Sequence, residues 1–313
     1  MSTVLLLAYR RWQNIDPILD ICRRAGVTRV FIHIDGGNTV EEKEDVARTF
    51  ERASGYKQRW GIDIRITAQT DNIGCAVSMI LSLNAVFSTE AQVTILEDDC
   101  IPTLDFFRFV EESFQEMTRN QKIGLACGAQ FGASIIGEDN WLLSRYPFNW
   151  GWAITKEQWV LLSAKMIKTD KLKSRNDLSC EEATYWNAGS RRALEGYTDV
   201  WDTLLVREML RNDSYAILPG VNLVSNVGND APALHTRGEQ IWTNFPTGNF
   251  NGYKTKPNFN HRFDQWGRTM FFRISRRHLV STKITWFFDF IFVRPKRKPL
   301  EKRIQLASVD FIA

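Results

Sequence analysis

The chain has 313 residues, 44% hydrophobic and 24% charged, with a formal charge of +4. Those values fit a folded protein with a large core and exclude a disordered or low-complexity chain. The charge is uneven: residues 268–303 carry eleven Lys/Arg against two acids, so that stretch is about +9 and the remainder about −5.

Thr3 to Ala8 reads as a central strand, and no leader or spanning helix of ~20 apolar residues is found. From Asn14 to Ala25, Ile15, Ile18, Leu19 and Cys22 recur at helical spacing, with Pro17 placed for a first turn and Gly26 for a stop. Val30 to Ile34 predicts a second strand ending at Asp35-Gly36-Gly37, then a polar helix from Val40. Asp63 to Ala68 predicts a third strand, Ile73 to Phe87 an apolar helix, Val93 to Leu96 a fourth strand, and Leu104 to Met117 a helix. Alternating strands and helices imply βαβ units and a mostly parallel sheet with helices on both faces. Neither G-x-G-x-x-G nor G-x-x-x-x-G-K-[ST] follows the first strand, which excludes the usual dinucleotide and P-loop signatures.

The most informative run is Val93-Thr-Ile-Leu-Glu-Asp-Asp-Cys-Ile-Pro102. Burying Glu97, Asp98 and Asp99 together would cost several kcal/mol each. They therefore meet water, cations or a metal, and carboxylates at the carboxyl end of an α/β strand suit Mg²⁺ or Mn²⁺. The alternative is a solvated turn before a helix. Five cysteines, Cys22, Cys75, Cys100, Cys127 and Cys180, are scattered without metal spacing, which suits reduced thiols in a cytoplasmic setting.

Residues 121–265 are richer in aromatics, with a helix from about Asp199 to Asn212 and a strand at Tyr215 to Leu218. We expect them to complete the same domain. In residues 266–313, Ile284 to Val293 is apolar but too short to span a bilayer, and basic clusters flank it. That pattern suggests a peripheral anchor on an anionic membrane, with a core strand or partner helix as the alternative. No nucleic-acid motif is present.

Four features in this order resemble GT-A-fold glycosyltransferases, especially the N-acetylglucosaminyltransferase I-like group and related bacterial enzymes. They are Val4-Leu-Leu-Leu-Ala-Tyr-Arg10, Asp35 at a strand end, Asn72-Ile-Gly74 opening a helix, and Glu97-Asp98-Asp99, which resembles the family's acidic metal motif. The resemblance covers roughly residues 3–240. It implies a nucleotide-sugar-binding half at 1–120, an acceptor half at 121–265, and inverting transfer from a nucleotide diphosphate sugar, with UDP the expected nucleotide, to a glycan or lipid-linked glycan. The expected location is the cytoplasm, with peripheral attachment to the inner face of the cell membrane where the basic C-terminal stretch serves as the anchor.

Asp99 is the expected direct ligand of Mn²⁺ or Mg²⁺, and His235 a second candidate. Glu97 and Asp98 are expected to meet ribose or metal-bound water. Ala8, Tyr9, Arg10, Asp35, Asn72 and Gly74 are expected around the nucleotide. Asp202 in Tyr197-Thr-Asp-Val-Trp-Asp-Thr203 is the candidate base, in a position that resembles the family's catalytic aspartate. Asp199 and the Glu181/Glu182 pair compete with it. Trp150, Gly151 and Trp152 are expected to receive the acceptor sugar. Two rival readings are a sugar nucleotidyltransferase, against which the absence of Gly in Tyr9 to Gln13 counts, and a non-catalytic glycan-binding protein.

Overall fold

The computed structural model describes residues 3–60, 62–132, 141–228, 243–253, 255–275 and 294–311. Strands β1 (Thr3–Ala8), β2 (Arg29–Ile34), β3 (Asp63–Ala68) and β4 (Gln92–Glu97) are all mutually parallel. The second half extends the same sheet through β6 (Ile123–Cys127), β7 (Leu142–Ser144), β8 (Trp152–Thr155), β9 (Tyr215–Leu218) and β11 (Asn258–Phe259). The order is β11-β7-β9-β6-β8-β4-β1-β2-β3. Strand β8 lies antiparallel between β4 and β6. A separate ribbon pairs β5 (Cys100–Pro102) with β10 (Val224–Asn226).

Helices cover both faces. On one side α1 (Ile15–Arg24) touches both α2 (Val40–Trp60) and α4 (Leu104–Arg119). On the other, α3 (Cys75–Val86) meets α5 (Lys156–Ser163), where Trp159 donates its indole N–H to Asn84 at 2.8 Å. Beside them pack α6 (Cys180–Leu194) and α7 (Asp202–Arg211). A short α8 spans His261–Trp266. The result is a mixed α/β architecture, a large and mostly parallel central sheet with helices on both faces.

The strands read as apolar runs because both faces are covered. All of β1 is buried, and Val93, Ile95 and Leu96 of β4 are fully so. Helix α1 sends down Ile15, Ile18, Leu19 and Cys22, the four positions that its spacing predicts. Helix α4 starts where the Thr103 hydroxyl accepts from the Phe106 N–H. Ser179 and Glu182 form a reciprocal cap at the start of α6.

The last helix, α9 (Leu300–Phe311), packs against α3 and α6, with Leu300 fully buried. The described part of the basic C-terminal region thus lies on the body of the protein. Ile284 to Val293, the apolar part of the expected anchor, lies outside the described residues. Among the described residues no helix is long and apolar enough to cross a membrane.

Candidate active site

Parallel register brings the carboxyl ends of β1, β2 and β4 to one edge: Ala8 lies beside Ile34, and Leu7 beside Glu97. A cavity of about 800 Å³ opens there, a size typical of small-molecule sites. Its lining includes Ala8, Tyr9, Arg11, Asp35, Asn72 and Gly74 on the first-half loops. Glu97, Asp98 and Asp99 form its acidic wall, and Trp150, Asp199 and Asp202 arrive from the second half. Residues over a hundred positions apart therefore line one cavity.

The three acids have different tasks. Asp98 is turned inward. Its carboxylate accepts from the Tyr9 N–H at 2.7 Å and the Arg11 N–H at 3.3 Å, and meets the Arg11 guanidinium at 3.1 Å. The Asn14 amide donates to its backbone carbonyl at 2.7 Å. Asp98 thus shapes the loop after β1, and the expectation that it is free for ribose or metal-bound water is not met. Asp99 lies 3.4 Å from Arg11 and accepts from the Cys100 thiol at 3.3 Å. The oxygen that faces Arg11 is also crowded by Gly228, where a Cβ would strike it. Burial, with Asp98 beside it, raises the Asp99 pKa. Glu97 is pushed up to about 8 by burial and then by Asp99, Asp98 and Asp202, against the opposing pull of Arg11.

Carboxylates that resist ionisation side by side form a donor set that a divalent cation would relieve. The hard oxygens of Asp99 and Glu97 fit Mg²⁺ or Mn²⁺. Cys100, whose thiol is pushed up by burial, does not fit as a ligand. Among the described residues no three His, Cys, Asp or Glu are arranged to hold an ion unaided. Substrate oxygens and water would have to complete the shell, as is usual for Mg²⁺. His235, the second candidate ligand, lies outside the described residues.

Asp35 is 7% exposed and ties β2 to the start of α3. It accepts from the Gly36 N–H at 2.9 Å, the Ile73 N–H at 2.8 Å and the Gly74 N–H at 2.9 Å. Burial nevertheless raises its pKa to about 6, with Asp199 adding to the rise. Asn72 donates to the Gly36 carbonyl at 2.9 Å. Gly74 has φ of +90°, and a Cβ there would strike Asp199 and Arg303. Only glycine suits that position.

Several expected residues lie elsewhere. Arg10 points away to Glu42 at 3.2 Å and Asp45 at 3.4 Å on α2, and Arg11 takes its place in the cavity. Trp152 is 1% exposed and stacks on Trp201, with ring centroids 5.2 Å apart. Gly151, at φ +64°, would drive a Cβ into Val224 and Phe106. Both are core residues, because Trp152 starts β8 in the middle of the sheet and Gly151 immediately precedes it, and they cannot receive a sugar there. Trp150 does line the cavity, edge-on to Phe131 at 5.1 Å.

Among the candidate bases, Glu182 is 2% exposed and held by Ser179, Tyr146 and Arg145. Neither it nor Glu181 lines the cavity. Asp199 caps α3 across the fold, accepting from the Cys75 N–H at 3.1 Å and the Ala76 N–H at 3.4 Å. Asp202 is the exposed first residue of α7, lines the cavity, and accepts from the Thr203 N–H at 2.6 Å.

Sequence reasoning missed Arg11, Lys296 and Arg297, which also line the cavity. The need of three adjacent acids for a counter-charge was a signal for Arg11. Nothing local pointed to the other two.

No protein-family model matches the chain, and no curated protein does. Solved structures do match, distantly. One, assigned as a glucose-1-phosphate thymidylyltransferase from Bacillus anthracis, is 14% identical over 60% of this chain and 83% of its own, with a TM-score of 0.34. HddC from Yersinia pseudotuberculosis is 12% identical over 50% and 78%, with a TM-score of 0.33. The 4-diphosphocytidyl-2C-methyl-D-erythritol synthase from Anaerococcus prevotii is 11% identical over 56% and 79%, with a TM-score of 0.36. At such scores they say nothing of this chain's chemistry, which rests on its own site.

Proposed function

We propose that the protein is a divalent-cation-dependent glycosyltransferase that takes a sugar from a nucleotide diphosphate donor, UDP-linked by expectation, to a glycan acceptor by single displacement with inversion. One observation supports this above all: the Glu97/Asp99 acids and Asp202, from the two halves of the chain, line one cavity. The loops after β1 and β2 and the start of α3 would hold the nucleotide. Asp99, with Glu97 beside it, would hold Mn²⁺ or Mg²⁺. That ion would supply charge neutralisation to the diphosphate as it leaves. Asp202, exposed toward the acceptor side, would take the proton of the attacking hydroxyl, and Trp150 offers an aromatic surface for the acceptor sugar. Arg11 keeps the acidic wall from repelling itself.

The second reading is sugar nucleotidyl transfer. It is the class of reaction named for two of the distant structures, a thymidylyltransferase and a diphosphocytidyl synthase. The products decide between them. Incubation with a panel of nucleotide sugars, glycan acceptors and Mn²⁺ should release the nucleoside diphosphate and a sugar of inverted anomeric configuration. Asp202→Asn should cut turnover by at least about 10²-fold while donor binding persists. Release of inorganic diphosphate from a nucleoside triphosphate and a sugar phosphate, with no transfer from nucleotide sugars, would establish the second reading instead.

A further inference from the structure

The basic C-terminal stretch was expected to face a membrane, yet its described part closes the cavity. Lys296 and Arg297 line it. The Arg297 guanidinium donates to the Asn72 side-chain carbonyl at 2.8 Å and lies 3.4 Å from the Asp199 carboxylate. Its backbone N–H donates to the Gly196 carbonyl at 3.2 Å. Arg303, 9% exposed, donates to the Ile73 carbonyl at 2.9 Å and to the same Asp199 carboxylate at 2.7 Å. Gly196, at φ +83°, leaves no room for a Cβ beneath the Arg297 carbonyl. The stretch is therefore seated by backbone and side chains together.

Its charge is only partly matched. Two guanidinium groups share one carboxylate, and Asp35 behind it is engaged by three backbone amides. Lys296 is exposed into the cavity and has no hydrogen-bond or ion-pair partner among the described residues. The Nη1 of Arg303 is buried and likewise lacks a hydrogen-bond partner among them. Cations with donors to spare, lining the same cavity as Glu97, Asp98 and Asp99, are the surroundings that an anionic, metal-bridged group requires.

We propose that Lys296 and Arg297 form a phosphate-binding wall, closing over the diphosphate of a nucleotide substrate opposite Asp99. Arg303 is a positioning residue that holds Arg297 and the start of α3 through Asp199. The identity of the anion rests on the nucleotide-sugar reading above; the wall itself rests on the contacts just described. Guanidinium and ammonium groups bind phosphate oxygens by charge-assisted hydrogen bonds. An exposed wall residue can be removed without touching the core.

The test is calorimetric titration of the full-length protein with UDP, UMP and inorganic diphosphate, and with GDP, CDP and dTDP as controls, each with Mn²⁺. The chains compared are wild type, Lys296→Ala, Arg297→Met and Lys298→Ala. Lys298 is an adjacent exposed cation that does not line the cavity. UDP and diphosphate affinities should fall about tenfold or more in the first two variants, UMP affinity should fall less, and Lys298→Ala should change none of them. A general folding fault would weaken UDP and UMP alike, and that outcome would overturn the wall. Unchanged UDP affinity in Lys296→Ala and Arg297→Met would also overturn it while leaving the nucleotide reading intact. Diphosphate binding that the wall variants lose, with no binding of UDP or of the GDP, CDP and dTDP controls, would uphold the wall and refute the nucleotide reading. A wild-type protein that binds none of these would refute both.

Discussion

Asp35 offers a test of the site's electrostatics that needs no substrate. Its carboxyl has an ordinary value of 3.8 and rises to about 6 in the folded chain. A carboxyl raised on folding binds its proton more tightly in the native state. Stability from this group is therefore present at low pH and is lost as pH rises from about 4 through about 6. Two units at 1.36 kcal/mol each make the loss about 3 kcal/mol by pH 7, already net of the three backbone N–H bonds to the carboxylate. Asp35→Asn removes the titration. Its amide can keep the Gly36 and Ile73 bonds through its oxygen, at the cost of setting its NH₂ against the Gly74 N–H. A protonated carboxyl faces the same conflict, so the two chains should have similar stability near pH 4. By pH 7 the variant should have gained about 3 kcal/mol on the wild type, at the expense of nucleotide binding. Urea unfolding of both chains from pH 4 to pH 8 reads this directly, and the other acids cancel in the difference. A difference that stays flat with pH would refute the raised Asp35 value and the cost of burying its charge.

Arg11→Met should destabilise the protein by about 2–3 kcal/mol in urea unfolding. That is less than the about 3–5 kcal/mol of a fully orphaned buried charge, because two backbone N–H groups still hold Asp98. Millimolar Mn²⁺ should restore part of the loss, and equal stability in both chains would show that Arg11 is no counter-charge. Trp152→Ala should cost about 3–5 kcal/mol by removing a core side chain. Trp150→Ala should weaken acceptor use far more than it weakens the fold, and acceptor KM set beside thermal unfolding separates the two. Leu300→Ala should cost about 2–5 kcal/mol if α9 is packed as found. An unaltered unfolding midpoint would mean that the helix is not docked on α3.

The alternating strands and helices were legible because their signals are local: apolar runs for β1 and β4, a four-residue stripe for α1. The acidic wall was legible for a related reason, since three charges cannot follow a buried strand without a purpose. What failed were choices between neighbours. Arg10 and Arg11 have the same chemistry, and only the backbone path after β1 decides which meets Asp98. Trp150 and Trp152 read alike, but β8 enters the middle of the sheet between them. Asp98 read as free for ribose or metal-bound water because its debt to Tyr9 and Arg11 is tertiary. Asp199 read as a cap for the helix that follows it, yet it caps α3, more than a hundred residues earlier. The docking of Arg297 and Arg303 was invisible for the same reason: a basic stretch looks the same whether it faces lipid or a cavity.

The central claim is that this cavity holds a nucleoside diphosphate through a divalent cation on Asp99. It is tested most directly by calorimetric titration of UDP into wild type and Asp99→Asn, with Mn²⁺ and with chelator. The account predicts binding that depends on Mn²⁺ in the wild type and is mostly lost in Asp99→Asn, with the variant's unfolding transition preserved. Metal-independent binding of equal strength in both chains would contradict it.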